Sequence, residues 1–135
     1  MASIDDTAHT LAGVVGLVPG LRCKGFIDDK INPPEAQVFT RDFDPRLTLG
    51  GSPSRQVEFG VRVFVRRTDA RTAQAELRGY MEQAGSTSIR ATIEDADNWD
   101  GQVDYVVVTN IGQPFEAELP DQIYWAVDFD VDIVW

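Results

Sequence analysis

The sequence predicts an α+β domain with a mostly antiparallel sheet and two main helices packed on one face. Segments with helical and with strand periodicity follow one another in the order helix, strands, helix, strands. Two long stretches alternate strictly between apolar and polar residues, and two others repeat apolar residues at helical spacing. At 135 residues, the chain has the size of a single domain, residues 1–135, with one hydrophobic core.

The first helix is predicted to begin at Ser3, whose hydroxyl can accept a hydrogen bond from the first turn. Asp5 and Asp6 suit the positive end of a helix, and Pro19-Gly20 ends it. One stripe of apolar residues recurs at helical spacing: Ile4, Ala8, Leu11, Val15 and Val18. This stripe is expected to face the core.

The second helix is predicted to begin after an N-cap at Thr68 or Asp69 and to end at Gly85. Its inner stripe contains small and large apolar residues: Ala70, Ala73, Leu77, Tyr80, Met81 and Ala84. A short helical segment over Ile89–Ala96 and a turn cluster around Trp99, residues 97–101, are expected to follow.

The C-terminal stretch 124–135 is the clearest strand in the sequence. Its odd positions are apolar and three of its even positions are carboxylates: Asp128, Asp130 and Asp132. This period of two predicts one buried and one charged face, with same-face residues about 7 Å apart. Gln56–Arg67 alternates in the same way and is predicted to be the central strand.

The remaining strands are predicted over residues 21–26, 36–43 and 103–109, with turns or extended segments between them. Pro33-Pro34 favours an extended segment without regular hydrogen bonds. The stretch 44–55, which contains Gly50-Gly51 and Pro53, is predicted to be a flexible loop or arm. A turn is expected over residues 110–114.

Charge is distributed unevenly along the chain. Residues 1–81 contain 11 Lys and Arg and 10 Asp and Glu, a net charge of +1. Residues 82–135 contain one basic residue, Arg90, and 12 acidic ones, a net charge of −11. A nucleic-acid-binding surface in the second part is therefore disfavoured, because phosphates require cations. A solvated face and a surface that repels polyanions both fit this pattern.

No arrangement typical of catalysis is found in the sequence, and we expect neither an enzyme nor a cofactor. His9 is predicted to lie on the polar side of the first helix, and Cys23 to be a half-buried structural thiol. A single cysteine and an N-terminus without the features of a signal peptide favour a reducing interior. Apolar runs are too short for a membrane-spanning segment.

Two acidic patterns resemble metal sites, but their spacing disfavours metal binding at both. Asp128, Asp130 and Asp132 are too widely spaced on one strand to bind a single ion. The segment 95–101 lacks the spacing and the final glutamate of a calcium-binding loop. Arg62 and Arg66 share one strand face, so cross-strand Arg–Asp pairs are predicted if the two long strands are neighbours.

Large aromatic residues are numerous for a chain with two main helices. Because chain ends fray, Trp135 is predicted to be held by a neighbouring subunit. For Trp125, the core and an interface are equally compatible with the sequence, whereas Phe59 and Phe129 are predicted to be core residues.

These features together resemble a known family. A Pro-Pro-x-Ala-x-Val segment at residues 33–38 precedes the Gly-rich loop and an F-x-V-R-V-x-V strand at residues 59–65. A helix with the pattern D-x-R-x-A-Q-x-x-L-x-x-Y-M covers residues 69–81, and G-S-x-S-I-x-x-x-I-E covers residues 85–94. With the acidic final strand, the pattern over residues 3–135 resembles the tail terminator proteins of long-tailed siphophages, in particular those of actinobacteriophages.

The resemblance implies an α+β subunit of a homohexameric ring that caps the head-proximal end of a tail tube. Such a ring stops tube polymerisation, joins the tail to the head and lets DNA pass through its lumen. The implied partners are further copies, the major tail tube protein and a head-completion or connector protein. The implied location is the virion, after assembly in the host cytoplasm.

Within this interpretation, some of Asp128, Asp130 and Asp132 are expected to line or approach a lumen that repels DNA. Loop 44–55 is expected to order against the tube or a neighbour. Candidate subunit contacts are Arg62, Arg66, Arg67, Arg71 and Trp135. Two alternatives remain: a head–tail connector or head-closure protein, and a small ligand-binding α+β protein with an acidic pocket.

Overall fold

The computed structural model of the protein describes residues 3–28, 30–42, 56–66, 69–120 and 122–135. Within these ranges, three α-helices and six strands form an α+β fold with a mostly antiparallel sheet, as predicted. The elements are α1 (Ile4–Val15), β1 (Arg22–Lys24), β2 (Glu35–Asp42), β3 (Gln56–Arg66), α2 (Ala70–Tyr80), α3 (Ile89–Glu94), a 3₁₀ helix (Ala96–Trp99), β4 (Tyr105–Ile111), β5 (Phe115–Glu118) and β6 (Ile123–Val134).

The sheet has the strand order β1-β2-β3-β6-β4, and β5 also pairs with β6. β1 runs parallel to β2, and every other pairing is antiparallel. β6 is the longest strand, and from Tyr124 to Val134 it pairs with all of β3. On its other side, β6 pairs with β4 towards the C-terminus and with β5 towards the N-terminus. The last strand, β6, therefore joins β1, β2 and β3 on one side to β4 and β5 on the other.

The two faces of the sheet differ because side chains alternate along each strand. The odd-numbered residues of β3 and β6 point towards the helices, and the predicted core residues Phe59 and Phe129 are fully buried there. The inner stripe of α1, with Leu11 and Val15, and that of α2, with Leu77, pack on the same cluster. The prediction that both main helices cover one face is thus confirmed.

Local hydrogen bonds define where the helices begin. Ser3 forms a capping box with Asp6, in which the Ser3 hydroxyl accepts from the Asp6 backbone and the Asp6 carboxylate accepts from the Ser3 backbone. Asp69 is the N-cap of α2, and its Oδ1 accepts from the Thr72 backbone at 2.8 Å. Both helix starts agree with the sequence predictions.

The end of α2 differs from the prediction. The helix ends at Tyr80 rather than near Gly85, because the chain turns back on itself beyond this point. The carbonyl oxygens of Gly79 and Glu82 accept hydrogen bonds from the hydroxyls of Thr87 and Ser88. Side chains thus take the place of the next turn of the helix.

Strand β5 was not predicted. It has only four residues, followed closely by Pro120, and its pattern is too short to establish a period. It forms because Phe115–Glu118 pairs with the start of β6, from Ala126 back to Ile123. β4 also extends two residues further than predicted, to Ile111, past an irregularity between Val108 and Asn110.

Two predicted features, the arm over residues 44–55 and the interface residue Arg67, lie outside the described residues. In the part of the chain that the structure describes, no helix is both long enough and apolar enough to cross a membrane.

Candidate interaction surface on the open face of the sheet

The face of the sheet opposite the helices, here called the open face, contains the predicted aspartate row. It is formed by residues of β2, β3, β6 and β4 whose side chains alternate with those of the core. Its central residues are Gln37, Phe39, Glu58, Arg62, Phe64, Ala126, Asp128, Asp130 and Asp132.

Asp128 is paired with Arg62 directly across the β3–β6 ladder. Arg62 donates from Nε to Asp128 Oδ1 at 2.7 Å and from Nη2 to Oδ2 at 2.9 Å. This two-pronged geometry is the strongest form of an Arg–carboxylate contact. It raises the pKa of the Arg62 guanidinium above its usual range, the hydrogen bond to Asp128 being the main cause. The predicted cross-strand pair is therefore present for Arg62.

The other two aspartates are also partnered. Asp130 Oδ1 lies 3.2 Å from Nη1 of Arg41, which comes from β2 and also lies 4.0 Å from Glu58. Asp132 Oδ2 accepts a hydrogen bond from Gln56 Nε2 at 2.9 Å. The side chains of Asp128 and Asp130 are only 20% and 15% exposed. The row is consequently a set of paired groups rather than a bare acidic surface.

Arg41 was missed in the sequence analysis. β2 contains an irregularity between Thr40 and Asp42, which places Arg41 outside the regular alternation of the strand. Residue periodicity alone therefore gives no indication that Arg41 reaches Asp130 two strands away.

Arg62 is also enclosed by aromatic rings. Its guanidinium carbon lies 5.4 Å from the centre of the Phe39 ring and 5.2 Å from that of Phe115, distances typical of cation–π contacts. The Phe39 ring lies across Gly60, where a Cβ atom would overlap it. A glycine in β3 thus creates the space that one of the rings occupies.

A pocket of about 300 Å³ lies beside this stack. Its walls come from the open face, from the residues that follow β1 and from the β5–β6 turn: Ile27, Asp28, Gln37, Phe39, Arg62, Phe64 and Leu119. Near it, a small second apolar cluster covers the β5 end of the open face, where Phe64 and Tyr124 meet edge to face at 6.1 Å.

A polar cluster fixes the residues between β1 and β2 to the sheet. Lys24 Nζ lies 3.0 Å from Asp28 Oδ2 and 3.4 Å from Oε1 of Glu35, which is only 2% exposed. The hydrogen bond to Asp28 is the main cause that raises the pKa of Lys24. Gln37 Nε2 donates to the Asp28 carbonyl at 2.8 Å and adds a further tie. This segment is therefore held in place before any partner binds.

Cys23 and His9 have the surroundings expected from the sequence. Burial, and secondarily the charge of Glu35, raises the pKa of the Cys23 thiol to about 12, so it is protonated at neutral pH. His9 is exposed on α1, with Nε2 3.6 Å from Asp5 Oδ1. Among the described residues, no three or more His, Cys, Asp or Glu side chains are placed to hold a metal ion.

The predicted interface residues occupy different surroundings. Arg66 is exposed and pairs in register with Tyr124, two same-face positions from Asp128, and Arg71 is exposed on α2. Trp135 is only 8% exposed in the single chain, with its ring 6.4 Å from that of Phe59. The reasoning that Trp135 needs a neighbour to hold it is therefore wrong, because the chain's own core buries it. A role for any of these residues in a subunit contact stays a prediction.

Comparison with known proteins gives no further guidance. No protein-family model matches the chain, and a search of the curated proteins found no match.

Proposed function

We propose that the protein is a structural subunit that forms a ring at the head-proximal end of a phage tail tube, ends tube polymerisation and joins the tube to the head. The observation that supports this most is the open face of the sheet. One face is covered by helices, whereas the other places the partly exposed Arg62 between two partly exposed rings and beside a paired carboxylate.

The composition of the open face is typical of a protein–protein contact. Arginine and aromatic residues are enriched at the centres of interfaces and contribute most of their binding energy. Arg62 is held on three sides by Asp128, Phe39 and Phe115. Side chains that are ordered before association lose less conformational entropy when a partner binds. The open face is therefore suited to contact a further copy, the major tail tube protein or a head-completion protein.

In this proposal, DNA passes through the ring without specific binding, and the protein is located in the virion. Asp128 and Asp130 each have an arginine partner, so their local charge is largely compensated. A lumen that repels DNA would also draw on the exposed acids of residues 82–135, a segment with a net charge of −11.

A second candidate function is the binding of a small ligand, which the pocket of about 300 Å³ favours. Such a volume is at the lower end of ligand sites, and the lining combines apolar walls with the polar groups of Arg62 and Gln37. Native mass spectrometry of the purified protein distinguishes this candidate, because a bound small molecule adds a defined mass to a monomer or dimer.

Electron microscopy of phage particles made with and without this gene tests the proposal. Without the protein, we expect tubes that exceed the normal length and are not joined to heads. Tails of normal length that remain detached would instead indicate a head-closure protein. Tails of normal length that are joined to heads would remove the proposed function altogether.

A further inference from the structure

The sheet separates charge from one side to the other. Strands β1, β2 and β3 contain five basic side chains, Arg22, Lys24, Arg41, Arg62 and Arg66, and three acidic ones. Strands β4, β5 and β6 contain five acidic side chains and no basic one, and residues 91–135 contain no Lys or Arg. Because the strand order is β1-β2-β3-β6-β4, these two groups lie side by side.

The acidic side ends in a surface that we call the acidic edge. It comprises exposed residues of the segment that runs from the end of α3 to the first residue of β4: Asp95, Asp97, Asp100, Asp104 and Tyr105. Tyr105 is 53% exposed and is one of four large apolar or aromatic side chains exposed in the described residues. The acidic edge thus combines negative charge with one protruding aromatic ring.

The backbone of β4 is partly blocked for strand addition. Val108 donates a hydrogen bond from its backbone to Glu94 Oε2 at 3.0 Å, and Arg90 holds Glu94 through a contact of 3.1 Å. A strand docking on β4 would have to displace this carboxylate. Edge strands protected in this way favour contacts through side chains over backbone pairing.

The opposite side of the sheet ends in a surface that we call the basic edge. It comprises Arg22, Phe26, Ile27 and Lys30, all of them exposed. Phe26 and Ile27 are 52% and 71% exposed and line a groove of about 570 Å³ that runs between α1 and β2. Asp5 of α1 also lines this groove, so the positive charge of the basic edge comes from Arg22 and Lys30 beside it. The groove is large enough for an aromatic side chain.

The basic edge is ordered by the polar cluster behind it. Lys24 Nζ donates to the carbonyl of Lys30 at 2.9 Å, and the Lys30 backbone donates to Asp28 Oδ1 at 3.1 Å. The exposed apolar and basic side chains of the basic edge are therefore presented by a segment that these hydrogen bonds hold in place.

We propose that the acidic edge of one copy docks against the basic edge of the next copy, with Tyr105 packed against Phe26 and Ile27. The two surfaces are complementary in charge and in apolar character, and they lie at opposite sides of the sheet. A contact between two different surfaces repeats from copy to copy and generates a ring when the rotation closes. That the resulting ring caps a tail tube rests on the function proposed above, whereas the contact between two copies does not.

A charge-reversal experiment tests this contact. We expect Asp97→Lys with Asp104→Lys, or Arg22→Glu with Lys30→Glu, to weaken self-association about tenfold or more, because each creates like charges across the contact. The four changes together should restore association. Sedimentation velocity over a concentration series, and electron microscopy of rings on tail tubes, measure the effect. Added salt should weaken association of the unchanged protein.

Matched controls lie on α2 and just beyond its end, away from both edges. Glu76→Lys with Glu82→Lys changes the net charge as the two Asp→Lys changes do, at exposed positions. Arg78→Glu, also at an exposed position, matches Arg22→Glu or Lys30→Glu made singly. We expect them to leave association within about twofold of the unchanged protein, as for charges outside a contact. Tyr105→Ser, which leaves the charges in place, should also weaken association, and circular dichroism confirms that each variant is folded.

The outcomes separate this contact from the proposed function. The contact would be overturned if the variant with all four charge reversals did not regain association, or if the α2 controls weakened association equally. In either case, tail length would still test the proposed function separately. Failure of the unchanged protein to associate in solution or on tubes would also overturn the contact. Tails that end normally without the gene would overturn the function even if the charge reversals behave as expected.

Discussion

Gly60 determines how the aromatic rings of the open face are arranged. Because a Cβ atom at this position would overlap the Phe39 ring, the ring rests on the glycine and from there contacts Arg62. By leaving this space, Gly60 sets the position of the Phe39 ring and, through it, the surroundings of Arg62. Glycine in a strand often marks such a close approach, and the sequence alone does not identify which group approaches.

We predict that Gly60→Ala lowers the free energy of unfolding by about 1–3 kcal/mol, because the Phe39 ring must move away. Gly79→Ala is the matched control, since a Cβ atom at this position in α2 would have no other group within 4 Å. That change should be neutral or stabilise by up to about 1 kcal/mol. Urea unfolding measures both, and an equal effect of the two substitutions would contradict the role given to Gly60.

The Arg62–Asp128 pair is expected to contribute about 1 kcal/mol of coupling energy, at the upper end for partly exposed pairs. The two hydrogen bonds between these side chains favour a coupling energy near the top of this range, whereas partial exposure to solvent limits it. A double-mutant cycle with Arg62→Met and Asp128→Asn measures this energy by urea unfolding. A coupling energy near zero would show that the stack of rings, rather than the ion pair, fixes Arg62.

At the scale of secondary-structure elements, the helix starts predicted from N-caps are the most accurate boundaries. Asp69 caps α2 with both carboxylate oxygens, which accept from the backbone and the hydroxyl of Thr72. These hydrogen bonds, the backbone one first, lower the pKa of Asp69. A cap of this kind depends on neighbouring residues only, and the sequence therefore predicts it.

We predict that Asp69→Ala lowers the urea midpoint of unfolding at neutral pH and that this difference shrinks as the pH falls. A carboxyl whose pKa is lowered on folding stabilises the protein above the unfolded value of 3.8. This contribution is lost as the pH falls from about 4 through the lower, folded pKa. Glu76→Gln removes a carboxylate from the same helix without removing a cap. A pH-independent effect of Asp69→Ala would argue against the capping role.

At the scale of the whole molecule, the aspartate row is tied to arginines from two other strands. Changing Asp128, Asp130 and Asp132 together to Asn removes three negative charges and releases Arg41 and Arg62 from their carboxylate partners. If the open face approaches DNA, this change should affect DNA binding more than the loss of acids elsewhere.

We predict that this triple variant binds duplex DNA more tightly at low salt than the unchanged protein, because polyanion binding depends on net positive contacts. The control is Asp95→Asn, Asp97→Asn and Asp100→Asn, which changes the net charge equally on the acidic edge. Fluorescence anisotropy with labelled DNA measures both. No gain for the triple variant, or an equal gain for the control, would remove the specific role of the row.

The sequence by itself determined where the two main helices begin, the two long strands and the buried face of the sheet. These depend on periodicity and on caps formed between neighbouring residues, as for Ser3 with Asp6 and for the alternation in β6. It also predicted cross-strand Arg–Asp pairs for Arg62 and Arg66, on the condition that the two long strands are neighbours. The pair is present for Arg62, with Asp128, whereas Arg66 lies opposite Tyr124.

Only the tertiary structure decided the partners of the other aspartates and the position of Trp135. Arg41 reaches Asp130 because β2, β3 and β6 lie side by side, and Trp135 is buried because the end of β6 lies over Phe59. A period of two assigns a residue to a face but does not specify which strand lies beside it. Strand order and register are set by packing of the whole sheet against the helices, and with them the separation of charge between its two sides.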